Sequence, residues 1–170
     1  PGLVLLLSDR IPVYYAPGLN SNYFFYDSLC WVYEGDNWYA SSWFNGPWRP
    51  VDRFDVPSYV LRVPVRYYRH APSYFHGWRA DAAPHWGEHW GRSWEERRRG
   101  WDHWDRSAVP RPAPLPTYQR QYSGSRYPHI EQQQVLQEQH YRYRSHDAVA
   151  QQYYRRLEAR APSDRGRVAA

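Results

Sequence analysis

Leu29-Cys-Trp-Val-Tyr-Glu-Gly-Asp-Asn-Trp-Tyr-Ala-Ser-Ser-Trp-Phe-Asn-Gly-Pro-Trp48 decides the fold. It holds four of the ten tryptophans. Trp31-Val32-Tyr33 and Trp38-Tyr39 are aromatic and β-branched runs of the kind that suit a pleated surface. Between them lies Glu34-Gly35-Asp36-Asn37, whose glycine tolerates a positive φ. Strand, polar turn, strand is a hairpin signal, and it predicts a reversal at Gly35-Asp36. Asn45-Gly46-Pro47 marks a second turn, where Pro47 also lacks an N–H for a ladder.

Working outward, Leu3–Leu7 and Pro12–Ala16 read as strands joined at Ser8-Asp9-Arg10. Pro17-Gly18 and Asn20-Ser21-Asn22 then break the chain. Tyr23–Tyr26 is a further strand, turned at Asp27-Ser28 into Leu29–Tyr33. Tyr59–Val63, fenced by Pro57 and Pro64, reads as a last, edge strand. The expected fold is therefore mainly β, a small antiparallel aromatic-rich meander or half-open barrel over residues 1–68.

Residues 69–106 change character. Pro72, Gly77 and Pro84 delimit a linker, and Trp86, Trp90, Trp94, Trp101 and Trp104 follow. At about 100° per residue these five fall within an arc of about 80°, and Arg97 falls inside it. The spacing predicts a helix with a tryptophan stripe, although Gly87, Gly91 and Gly100 weaken it. Residues 107–170 begin with a polyproline linker, Val109–Pro116. An extended or partly helical tail follows, with helical periodicity over Glu131–His140 and Ala148–Arg160. Val149, Tyr153 and Leu157 form a thin apolar seam there, with Arg155 and Arg156 opposite. Such a sequence buries too little to order itself, so a flexible or partner-bound arm is expected.

Bulk composition narrows the classes. Aromatics make up 19% of the chain, yet mean hydropathy is −0.95, so rings must replace aliphatics in the core. All 22 basic residues are arginine and the net charge is +5. This balance favours polyanion or glycan contact, although arginine-only usage also follows from GC-rich coding. No RNP1 or helix-turn-helix pattern is present, so nucleic acid is not an expected partner. Cys30 is the only cysteine, and it reads as a buried small hydrophobe. No stretch reaches the about 20 apolar residues of a membrane span. A start at Pro1 rather than Met is what removal of a leader would leave.

The run Asp36-Asn-Trp-Tyr-x-Ser-Ser-Trp-Phe-Asn-Gly-Pro-Trp48, with Val60-Leu-Arg-Val-Pro-Val-Arg-Tyr-Tyr68, resembles a group of small exported proteobacterial proteins. Phe75-His-Gly-Trp-Arg-Ala-Asp-Ala82 and Trp86-Gly-Glu-His-Trp-Gly91 resemble it too, so the likeness runs from about Pro12 to Arg106. It implies a periplasmic or extracellular location and brings no catalytic residues.

Candidate chemistry is sparse. His85-Trp-Gly-Glu-His89 matches the inverted zincin pattern H-x-x-E-H, with Glu88 as base. A peptidase would also need a third ligand and a cleft, so a hydrolase stays a remote alternative. His85, His89 and His103 on one helix side are candidates for weak Zn, Cu or Ni binding, with no resident cofactor expected. The leading expectation is a non-catalytic structural or interaction protein. In it Trp86, Trp90, Trp94, Arg97, Trp101, Trp104, Tyr153 and Leu157 contact another protein subunit, in a hetero- or homo-oligomer. A ligand module for glycans or metal ions is the alternative.

Overall fold

The computed structural model describes residues 2–6, 10–103 and 105–169, with backbone alone for 160–169. Six strands run in sequence order through one antiparallel sheet, which does not close into a barrel. They are β1 Val4–Leu5, β2 Tyr14–Tyr15, β3 Asn22–Tyr26, β4 Leu29–Glu34, β5 Asn37–Ser41 and β6 Arg49–Val51. Leu7 and the turn at Ser8-Asp9 lie outside the described residues. Helices follow: α1 Ser58–Leu61, α2 Trp86–Trp90, α3 Arg92–Arg97, α4 Ile130–His140 and α5 Ala148–Ala169.

The expected hairpin is present. Glu34 pairs with Asn37, leaving Gly35-Asp36 as a two-residue turn. Both residues have positive φ, 56° and 61°, as a type I′ turn demands. The β3–β4 turn repeats this device at Asp27-Ser28, with φ of 51° and 78°. Here two L-residues occupy left-handed positions, and the local cost is offset by what their side chains hold.

Side-chain alternation sends Phe24, Tyr26, Leu29, Trp31, Tyr33, Trp38 and Ala40 to one face. All seven are buried, and the tryptophans are the largest of them. The opposite face carries Tyr23, Phe25, Cys30, Val32 and Trp48. Phe24 stands across from Trp31, and Tyr33 across from Trp38. The Tyr33 and Trp38 rings lie 4.9 Å apart.

Tyr59–Val63 corrects the sequence reading, because its first part is helical. Val60 and Leu61 N–H groups both donate to Pro57 O, at 3.0 and 3.1 Å, and Arg62 N–H donates to Ser58 O at 2.9 Å. Val60, Leu61, Arg62 and Val63 are all buried, so the segment has no period-2 pattern to seat it in a sheet. The last strand is instead β6, where Pro50 suits an edge.

The tryptophan segment is two helices and not one. Gly91 takes φ 95° between α2 and α3, and Gly100 takes φ 88° before Trp101. At Gly87 a Cβ would sit 2.4 Å from Glu95 Oε2, so a larger residue there would displace the Glu95 side chain. The ring arc survives this break. Trp86 stacks on Trp90 at 4.4 Å, Trp90 meets Trp94 at 5.0 Å, and Trp94 meets Trp101 at 5.9 Å.

The C-terminal half wraps the sheet. Ala113, Leu115 and Tyr143 pack on the Tyr23–Phe25–Cys30 face, whereas Ala150, Tyr153 and Leu157 join the main core on the other. Gln119 acts as a clasp: its Nε2 donates to Ser42 O at 2.9 Å, and its Oε1 accepts from Phe44 N at 3.1 Å. Trp43 sits among Tyr118, Tyr122 and Tyr127, each within 6 Å. The crossing from one face to the other is fixed at Asp27, which is 4% exposed. Its carboxylate accepts from Tyr143 OH at 2.5 Å, from His146 N at 2.9 Å and from Asp147 N at 2.7 Å.

Trp38→Ala should lower unfolding free energy by about 3–5 kcal/mol in urea titrations. Trp38→Phe should cost less, because it removes an indole N–H that has no acceptor among the described residues. An unchanged midpoint for Trp38→Ala would remove Trp38 from the core. Asp27→Asn should cost about 3 kcal/mol, since an amide cannot accept from all the donors the carboxylate holds. Trypsin should then cut at Arg142 and Arg144 faster than in the parent chain, and equal cleavage rates would show that Asp27 is not the clamp.

Candidate functional site

Two regions concentrate chemistry, one on each face of the sheet. The first is where the sequence placed its candidate histidines. Asp36, at the tip of the β4–β5 hairpin, gathers four donors on Oδ1. They are Tyr33 OH at 2.6 Å, His89 Nε2 at 2.8 Å, Trp90 Nε1 at 3.3 Å and Tyr74 OH at 3.4 Å. The Tyr33 and Tyr74 hydroxyls also bond to each other. The His89 ring stacks on Tyr74 at 3.7 Å and 9°. Partial burial pulls the Asp36 pKa up, but hydrogen bonds from Tyr33 and His89 outweigh it and hold the carboxyl below its ordinary range. Burial, with the Asp36 and Tyr74 hydrogen bonds, drives the Tyr33 phenol far above its usual value.

The three candidate histidines do not converge on one point. His89 is taken by Asp36, His85 Nδ1 pairs with Glu88 at 3.1 Å, and His103 Nδ1 pairs with Asp102 at 3.1 Å. His85 also stacks on Trp78 at 4.5 Å. Among the described residues no group of three His, Cys, Asp or Glu side chains is arranged to hold a metal ion. The H-x-x-E-H pattern spans the start of α2, a helix of five residues. His85 precedes that helix, so the regular geometry the pattern needs is missing.

The tryptophan stripe faces inward. Trp86 and Trp94 are fully buried and Trp101 nearly so. Trp86 Nε1 donates to Leu61 O at 3.1 Å and Trp94 Nε1 to Arg53 O at 2.8 Å. Trp90 is half-buried beneath Arg53, whose guanidinium lies 5.5 Å from its ring. Arg97 stacks on Phe54 at 3.6 Å instead of between tryptophans. Tyr153 and Leu157 are buried in the same core, and Trp104 lies outside the described residues. The residues expected to meet another chain are thus largely spent inside this one. So many rings are too much apolar surface to leave in water, and the same chain covers Trp86, Trp94 and Trp101.

The second region is on the opposite face. Tyr23, Phe25, Cys30, Val32, Tyr39 and Trp48 floor an apolar cleft of ≈ 990 Å³, roofed by Leu115, Pro116 and Gln119. Its size and lining fall within the usual range for small-molecule sites. Two of the polar side chains in the lining are already engaged within the chain. Tyr23 OH donates to Phe44 O at 2.7 Å, and the Gln119 amide holds Ser42 and Phe44. Burial pushes the Cys30 thiol up to about 12, against a smaller opposite pull from Tyr23. It is a neutral, apolar floor residue at pH 7. Comparison with protein-family models, with curated proteins and with solved structures gave no match.

Sequence reasoning did not single out this cleft. Its signal was present in the strands: Tyr23-Phe-Phe-Tyr26 and Cys30-Trp-Val-Tyr33 carry apolar residues at every position. A strand without alternation is one whose two faces both meet apolar surroundings. The roof came from the proline-rich segment, which reads only as a spacer.

The Asp36 node gives a pH expectation. Its folded-state pKa is depressed, so the stability it contributes is present above the unfolded value, about 3.9, and is lost as pH falls through the folded value. Melting temperature should therefore drop more steeply below about pH 4 in the parent chain than in Asp36→Asn. Parallel pH profiles for the two proteins would show that the node carries no linkage.

Proposed function

We propose that this chain is a non-catalytic binding protein of the cell envelope or the extracellular space, and that it holds an apolar small molecule in the cleft of Tyr23, Phe25, Val32, Tyr39 and Trp48. The cleft carries the reading: it is a concave space with an aromatic floor, where the Tyr23 hydroxyl and the Gln119 amide are already engaged. Burial keeps the Cys30 thiol protonated and pushes the Tyr23 phenol well above its usual value, so neither is a ready nucleophile or base. The envelope location rests on the resemblance to small exported proteins.

The interaction-protein reading shifts accordingly. Binding a subunit through Trp86, Trp94, Trp101, Tyr153 and Leu157 would require these side chains to leave a core they already fill. A glycan or a metal ion suits the cleft less well than an apolar body does, since its floor is aromatic and aliphatic and its free polar side chains lie towards its ends.

Titration with 1-anilinonaphthalene-8-sulfonate is the test. Saturable one-to-one binding is expected, with tryptophan emission changing in step and most of that change lost in Trp48→Phe. Val32→Trp fills the cleft from its floor and should weaken the probe about tenfold at unchanged melting temperature. Val135→Ser, on the exposed side of α4, should leave binding as it was. Non-saturating binding, or equal affinity in Val32→Trp, would remove the cleft from the account.

A further inference from the structure

Resting on that reading, we propose that the ligand is a single-chain amphiphile with an anionic head, and that it lies along the sheet with its head at Arg120 and its tail towards Glu34. Strand register sets the two ends. Glu34 closes β4 beside the Gly35-Asp36 turn. Arg120 follows Gln119, whose amide grips Ser42 and Phe44. Ser42 follows Ser41, and Ser41 stands opposite Cys30 at the other end of β4. Four residue steps from Cys30 to Glu34 amount to about 13 Å of strand.

Both charged residues line the cleft, and both are exposed. Among the described residues no ion pair joins either one to a partner. The Arg120 end also carries Thr117, Ser123 and Asn45, which can hydrogen-bond an anionic head. Glu34 repels an anion from its own end, so the charge pattern selects one orientation of an anionic chain. Between the ends lie Tyr23, Phe25, Cys30, Val32, Tyr39 and Trp48, a surface that is mostly apolar. Tyr23 OH is committed to Phe44 O, and the thiol of Cys30 is neutral. An unsubstituted hydrocarbon matches that stretch, whereas a chain bearing polar groups midway would leave them unpaired.

The experiment is displacement of 1-anilinonaphthalene-8-sulfonate from the whole chain by dodecanoate, dodecanol and dodecyltrimethylammonium, each below its micellar concentration. Dodecanoate should compete about fivefold better than dodecanol, the gain expected of a solvent-exposed ion pair. The cationic amphiphile should compete least well at the Arg120 end. Arg120→Gln should bring dodecanoate down to the level of dodecanol while leaving dodecanol itself unchanged. Glu34→Gln should leave dodecanoate as tight as before or slightly tighter. Decanoate should bind more weakly than dodecanoate, about fourfold for each methylene left out of the cleft.

Equal competition by all three head groups, with no effect of Arg120→Gln, would overturn the head-group assignment and leave the apolar cleft standing. Failure of every amphiphile to displace a probe that does bind in the parent chain would overturn the cleft reading itself. Preference for the cationic amphiphile, abolished by Glu34→Gln, would reverse the orientation and refute the proposal as stated.

Discussion

The structure depends on two carboxylates set at hairpin tips in left-handed backbone. Asp27 and Asp36 sit in successive two-residue turns at opposite ends of β4, Asp27 first in its turn and Asp36 second. Each is held at a strained φ and each accepts hydrogen bonds from a segment far along the chain. Asp27 binds the backbone at His146 and Asp147, and Asp36 binds Tyr74, His89 and Trp90. The sheet alone would present aromatic residues to water on both faces. The tips convert it into a frame that receives one appendage at each end. Local strain and long-range hydrogen bonding are thereby parts of one arrangement.

Aromatic residues take the role that leucine and isoleucine have in ordinary cores. Their area makes a small sheet worth burying, and their polar edges tie the layers together. Trp86 and Trp94 each put a ring into the core and an N–H onto a backbone carbonyl. Trp43 does the same work of filling for the tail, where three tyrosines enclose it. Arginine complements this chemistry: Arg97 lies flat on Phe54, and Arg98 reaches Phe54 O at 2.9 Å.

The central hairpin was legible because its information is local. A glycine and an aspartate between two aromatic runs state both the turn and the register. The meander followed for the same reason. Tyr59–Val63 misled, because fencing prolines mark a one-turn helix as readily as an edge strand, and burial on all sides decides between them. Trp86, Trp90, Trp94 and Trp101 do form one run of ring contacts, but Gly91 breaks the single helix that their spacing implied, and Arg97 stacks on Phe54 instead of between them. The tail was unreadable for a stronger reason. Val149, Tyr153 and Leu157 are a seam too thin to predict docking, and the clamp that seats them is a buried aspartate 120 residues upstream. The cleft lay hidden in the same way, since its floor comes from the strands and its roof from a proline-rich spacer.

That separation along the chain also sets an order in time. The strands are translated long before the residues that cover them, and contacts such as Tyr154 with Ser28 span 126 positions. A nascent chain halted between the hairpin and Tyr153 carries the finished hairpin, with Trp31 and Ala40 lacking part of their cover. Closure of the core is thus a late, non-local event, of the kind that slows folding and leaves partly built chains adhesive. Until Tyr153 and Leu157 emerge, the main-core face of the sheet lacks the C-terminal side chains that complete its cover.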